Sequence, residues 1–185
     1  MPHHLSPILQ SIEQSPPKCG ESKLITIDGP AGSGKTTLAS QIAQAIGDEI
    51  TVIHMDDLYN GWERALTGEL TSLLKNQLLP GVASGRNFHL PKFDWLIHKY
   101  DEPQLYHSSP ITIVEGVGSG QRIMRSSTSV AIWIEVSMEL GLERVLERDG
   151  FEIEAQIKGF KRAELKHFAD EQTKAAADHQ LYGAP

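Results

Sequence analysis

A three-layer α/β/α domain with a central parallel sheet is the fold class this sequence predicts, and three observations predict it. Short apolar runs rich in β-branched residues recur at LITID, ITVIHM, ITIVE and SVAIWIEV; stretches of helical spacing separate them; a glycine-rich turn joins the first run to the first helix. At 185 residues the chain has room for one sizeable core and short insertions, and for no separate regulatory module.

The elements follow in order. Residues 1–22 carry Pro2, Pro7, Pro16, Pro17 and Gly20 among several Ser and Gln, which supports at most a short helix around Ile8 to Glu13. The expectation is a flexible leader over 1–22 and a folded domain over 23–185. Residues 24–28 read as the first buried strand. A helix over 35–46 follows, with Leu38, Ile42, Ala45 and Ile46 on one face and Gly47 as its stop. Residues 50–55 read as a second strand. Helical spacing then returns over 63–79 at Leu66, Leu70, Leu73, Leu74 and Leu78, ending at Pro80-Gly81. Residues 111–115 and 130–136 read as the third and fourth strands. From Met138 the pattern is helical to about His179, broken near Asp149-Gly150, the pattern of a hinged helical lid. Its acidic, lysine-dotted second half reads as a solvated face with Leu165, Phe168 and Ala169 turned inward.

The turn after the first strand, Gly29-Pro30-Ala31-Gly32-Ser33-Gly34-Lys35-Thr36, fits the phosphate-binding template G-x-x-x-x-G-K-[ST] at every fixed position. Glycines let consecutive N–H groups converge on phosphate oxygens, and the helix that follows points its positive dipole end at the same oxygens. Lys35 supplies a mobile charge for the β- and γ-phosphates. The Thr36 hydroxyl suits Mg²⁺, and Thr37 completes the nucleotide-binding run. The sequence thus predicts a P-loop NTPase-type fold that binds ATP with Mg²⁺.

Two acids, Asp56 and Asp57, end the second strand, at the carboxyl edge where open α/β sheets bind ligands. Neighbouring side chains of an extended segment point opposite ways, so one of the two faces the phosphates; Asp56 is the choice, as general base and metal partner. Helix capping is the alternative use of both. Glu115 emerges at the same edge, followed by glycines, and is placed to hold a metal-bound water. Arg148, in the broken helical region, is the candidate for stabilising charge on a transferring phosphoryl group; a surface salt bridge with Glu143, Glu147 or Glu152 is its alternative. Trp62 and Trp95 suit either stacking of a planar acceptor or packing of a loop.

The phosphate loop, the M-D-D-L-Y segment and the I-V-E-G segment together resemble the uridine kinase group of P-loop nucleoside kinases, over about residues 24–178. The resemblance implies that Asp56 is the base and metal partner, that Tyr59 packs near a nucleobase, that Asp94 in Phe93-Asp94-Trp95 holds sugar hydroxyls, and that Glu115 is the strand-end metal acid. Asp57 and Trp95 join the acceptor-binding candidates. The lid departs from the family pattern. Arg144 and Arg148-Asp149 match its arginine-rich stretch, whereas Lys158, Lys161 and Arg162 stand in an unfamiliar frame, and the segment between Pro80 and Pro110 is shorter than the family's substrate insertion.

A net charge of −7 argues against a polyanionic partner such as nucleic acid. Cys19 is the single cysteine, so no internal disulfide forms. No apolar run reaches membrane-spanning length and the start lacks a signal-peptide pattern, so a cytoplasmic location with no membrane partner is expected. The expected activity is transfer of the γ-phosphate of ATP to a hydroxyl of a small molecule, a nucleoside such as uridine or cytidine. The rivals are a nucleotide-dependent switch or regulatory ATPase, and a kinase acting on a sugar acid, a polyol or a nucleoside monophosphate. The sequence leaves the oligomeric state open.

Overall fold

The computed structural model describes residues 5–47 and 50–182; residues 1–4 of the expected leader lie outside them. In chain order the strands are β1 Lys23–Asp28, β2 Ile50–His54, β3 Phe88–Leu90, β4 Phe93–Asp94, β5 Lys99–Tyr100, β6 Gln104–Tyr106, β7 Ile111–Glu115, β8 Thr128–Glu135 and β9 His179–Tyr182. The α-helices are α1 Leu5–Gln14, α2 Lys35–Ile46, α3 Gly68–Leu73, α4 Leu79–Ala83, α5 Arg122–Arg125, α6 Met138–Asp149 and α7 Glu154–Glu171.

Five strands form one sheet in the order β2-β7-β1-β8-β9, with every neighbouring pair parallel. Successive strand residues point to opposite faces, and both faces are covered. Ile25, Ile27, Ile113, Val130, Ile132 and Ile134 pack with Leu38 and Ile42 of α2 on one side. Leu24, Ile53 and Val114 pack with Leu70, Leu74, Leu78, Val145 and Phe160 on the other. The predicted three-layer α/β/α architecture holds. Between α4 and β7, two antiparallel ribbons, β3 with β6 and β4 with β5, make up the insertion.

Four expectations are corrected. Residues 5–14 are not a loose leader: α1 buries Leu5, Ile8 and Ile12 in the same cluster as Leu38 and Ile42, because its apolar residues fall at helical spacing on one face. Lys23 ties it down by donating from Nζ to the carbonyls of Ile12 and Glu13, at 2.8 Å each. The helix predicted over 63–79 starts later, capped by Thr67, and runs through Pro80 to Ala83. A π-helical stretch, Leu74–Leu78, comes just before; the wider turn absorbs the hydrogen bond that Pro80 cannot donate.

The C-terminal helix ends at Glu171, and Gln172 takes a left-handed conformation (φ 54°). The chain then forms β9, which the sequence reading continues as helix. Asp178 fixes the start of β9: its N–H donates to the Ala131 carbonyl and its carboxylate accepts from the Ala131 N–H, both at 2.8 Å. Edge pairing with β8 outweighs the helical propensity of the alanine-rich run. The inward face of α7 also differs. Leu165 and Ala169 are exposed, and the buried positions are Ile157, Phe160, Lys161 and Glu164. Two charges within the buried stripe hide it from a search for apolar periodicity.

Candidate functional site

The phosphate loop joins β1 to α2 at the carboxyl edge of the sheet. Gly32 adopts φ 82°, and a Cβ there would come within 2.3 Å of the Gly141 carbonyl oxygen of α6; only glycine permits both. Lys35 is buried, and its Nζ donates to the carbonyls of Gly29 at 2.9 Å and Pro30 at 2.8 Å, arching over the loop it serves. Burial lowers its pKa, opposed by the charges of Asp28, Glu115, Asp56 and Glu164. Ser33 is buried and its amide donates to the Pro30 carbonyl at 3.1 Å. Thr36 and Thr37 are exposed on the first turn of α2.

The Thr36 hydroxyl donates to Glu115 Oε1 at 3.0 Å. The same oxygen meets His54 Nδ1 at 2.5 Å, and this hydrogen bond raises the His54 pKa above its usual value. Thr36 and Glu115, predicted from separate motifs, are thereby in contact. His54 was not predicted, although its place at the end of β2, in register with Glu115, follows once parallel pairing of these strands is known.

Asp56 lies in a 3₁₀ turn, Met55–Asp57, so the extended geometry used to choose it over Asp57 is corrected. Asp56 is exposed to solvent at the mouth of the site. Desolvation raises its pKa first and the Glu115 charge adds to this; Lys35 and Arg148 pull the other way. Asp56 thus feels both of the other predicted catalytic residues. Arg148, at the end of α6, is exposed and makes a two-pronged pair with Asp149, at 2.7 Å from Nε and 2.6 Å from the terminal nitrogen, rather than with Glu143, Glu147 or Glu152.

Asp28, the last residue of β1, was not singled out. It is fully buried, and its carboxylate accepts the N–H groups of Gly29 at 2.8 Å, Gly118 at 3.0 Å and Gly120 at 2.8 Å. It therefore fastens the first residue of the phosphate loop to the turn that follows Glu115. Desolvation brings its pKa up to about 6, against the pull of those three amides and Lys35. Its strand-end position next to Gly29 was the available signal.

The acceptor candidates fare differently. Tyr59 is not open to a ligand: it is buried, donates from Oη to the Val117 carbonyl at 2.7 Å and packs near Phe160. One oxygen of the Asp94 carboxylate, Oδ1, closes its own turn, accepting from the N–H groups of Leu96 at 2.8 Å and Ile97 at 3.2 Å. Asp57 is half-buried beside Asp56. Trp95 is half-buried, donates from Nε1 to the Asp56 carbonyl at 3.1 Å and its ring centre lies 5.0 Å from that of Trp62, which brings the tryptophan pair next to Asp56. A groove of about 780 Å³ lined by Glu69, Leu73, His89 and Tyr100 includes no residue of the phosphate loop.

The oxygen donors Thr36, Glu115 and Asp56 are the hard ligands Mg²⁺ takes, and the Thr36–Glu115 contact shows that two of them converge. Among the described residues no three His, Cys, Asp or Glu side chains form a metal cage by themselves. An ion shared with nucleotide phosphates and water needs fewer protein ligands, so the residues fit. Among the described residues no helix is long and apolar enough to cross a membrane.

No family model matches the chain. The uridine kinase of Halobacterium salinarum is 24% identical over 73% of this chain and 66% of its own length, and other uridine kinases match at up to 29% identity. The chain thus spans about two thirds of the first of these relatives. Among solved structures, a possible uridine kinase from Bacillus stearothermophilus superposes with a TM-score of 0.69 at 18% identity, covering 96% of each chain. A putative fructose transport system kinase from Silicibacter sp. TM1040 gives 0.71 at 19% identity, covering 96% of this chain and 98% of that one. The chain is a distant homologue of uridine kinases and has the fold of P-loop kinases.

Proposed function

We propose that this protein is a kinase that transfers the γ-phosphate of ATP to a hydroxyl group of a small molecule, with a nucleoside such as uridine or cytidine as the first acceptor class. One observation carries the reading: the Thr36 hydroxyl of the phosphate loop meets Glu115 at 3.0 Å at the carboxyl edge of the sheet, and Asp56 follows β2, the strand paired with the one that Glu115 ends. A carboxylate whose pKa is lifted by desolvation is a better proton acceptor, and the nearby cations suit the charge of a phosphoryl group in transfer. Asp56 accepts the acceptor hydroxyl's proton as its oxygen bonds to the γ-phosphorus. The bond from that phosphorus to the β–γ bridging oxygen breaks, and ADP leaves. Lys35 exchanges its loop carbonyls for phosphate oxygens, and Arg148 turns from Asp149 to the transferring group. Mg²⁺, held by Thr36, Glu115 and Asp56, would neutralise charge on the β- and γ-phosphates.

A sugar or polyol acceptor is the second reading. It is favoured by the internal engagement of Tyr59 and Asp94, the two residues that the nucleoside resemblance assigns to base and ribose. The test is ATP consumption with magnesium against a panel of nucleosides, sugars and polyols. Turnover requires one of them, and Asp56→Asn binds Mg-ATP normally while losing about a hundredfold or more in kcat. Slow hydrolysis that no acceptor stimulates would assign the chain to the nucleotide-switch class, and undiminished turnover in Asp56→Asn would remove the base.

A further inference from the structure

Helix α7 carries two charged side chains where its packing calls for apolar ones. Lys161 and Glu164 are 3% and 4% exposed, and their charged groups are 3.3 Å apart. Burying an ion pair is seldom better for stability than burying hydrocarbon of the same volume, so its presence in the core asks for another reason. That reason lies in what the pair touches. Glu164 Oε2 accepts the N–H of Ala31 at 2.9 Å, and Lys161 Nζ donates to the carbonyl of Ala31 at 3.1 Å. Both backbone polar groups of one phosphate-loop residue are thus met by side chains of α7, and among the described residues Ala31 has no backbone partner.

The approach is specific. A Cβ at Gly141 of α6 would lie 2.6 Å from the Ala31 oxygen and 3.1 Å from Lys161 Nζ, so glycine there admits the loop carbonyl between α6 and α7. Glu164 also lies within the field of Lys35, the phosphate-binding ammonium. The helix that holds the loop follows the Gly150 break, and the helix before the break, α6, carries Arg148 in its last turn.

We infer that Lys161 and Glu164 are positioning residues that clamp the phosphate loop at Ala31 and hold it in shape for a nucleoside triphosphate before the nucleotide arrives. The inference rests on the nucleotide-binding reading above. Without the clamp, ligand binding itself must order the loop, and affinity for the triphosphate falls more than turnover at saturation. Lys161, read from the sequence as a basic lid residue in an unfamiliar frame, thereby acts on the loop backbone.

Two double variants of the full chain test this. Lys161→Met with Glu164→Leu keeps the volume and removes both polar contacts; it folds and binds Mg-ATP about tenfold or more weaker by calorimetry, with KM for ATP raised and kcat changed less. Lys161→Met with Glu164→Gln restores an acceptor for the Ala31 N–H without a buried charge, and recovers part of the affinity, the Lys161 contact to the Ala31 carbonyl still being absent. Wild-type affinity in the first variant, or no recovery in the second, overturns the clamp. Should the variants fail to fold, amide exchange in the nucleotide-free wild type decides. The Ala31 amide is then protected well beyond those of Gly32 and Gly34, which have no acceptor among the described residues; equal exchange overturns the clamp. A wild type that binds no Mg-ATP refutes the proposed function instead and leaves the exchange test of the clamp standing.

Discussion

Single carboxylates decide how this site is held. Asp28 is fully buried with a pKa of about 6, against about 3.9 for an unfolded aspartate. Between pH 4 and 6 the folded protein therefore binds more protons at this residue than the unfolded chain does, and stability falls as pH rises through that window. The full effect amounts to about 3 kcal/mol and is complete above pH 7. Asp28→Asn has no such titration, so denaturant unfolding from pH 4 to 7 gives the wild type the more negative slope, and matching slopes would show that Asp28 is charged throughout. At this scale the positions of Lys35, Thr36 and Glu115 at one edge of the sheet are legible in the sequence, because the loop motif and the strand ends fix the backbone there. The internal hydrogen bonds of Tyr59 and Asp94 are not legible there, because whether a side chain faces a ligand or its own turn depends on loop geometry that residue type does not encode.

Among the elements, α1 and α7 depart most from expectation, and for opposite reasons. Proline and glycine around α1 suggest a loose segment, yet three apolar residues at helical spacing suffice to dock it beside α2 in the cluster that covers one face of the sheet. Ile8 is completely buried, and Ile8→Ala lowers stability by about 3 kcal/mol through lost burial and the cavity left behind. Chemical denaturation reads this as a lower midpoint at constant m-value; a change below about 0.5 kcal/mol would mean that the helix does not pack on the sheet in solution. In α7 the buried stripe was hidden because it includes charges. The central strands β1, β7 and β8 were legible because buried parallel strands are continuous apolar runs, and β2, half-buried at the sheet edge, still reads as a β-branched apolar run. β9 was missed because an edge strand of four half-polar residues after an alanine run carries no such signal.

At the scale of the whole molecule, the site is a meeting of distant segments: the loop after β1, the ends of β2 and β7, and the α6–α7 elbow. A ligand that bridges them couples binding to global stability. With Mg-ATP at a hundredfold excess over its Kd the folded state gains about 2.7 kcal/mol, a rise in melting temperature of about 5–10 °C for a chain of this size. Lys35→Ala removes the buried ammonium and shows less than half of that rise; an undiminished rise would place the nucleotide elsewhere. The order of the sheet has one more consequence. β1 lies at its centre, flanked by β7 and β8, so that Lys23 pairs with Ile111 and Asp28 with Trp133. Closing such long stretches of chain is a slow event in folding, and the strand that presents the phosphate loop has no neighbour until it happens. During synthesis, then, the triphosphate cradle takes shape only once the later segments that carry β7 and β8 have been made and have closed on either side of β1.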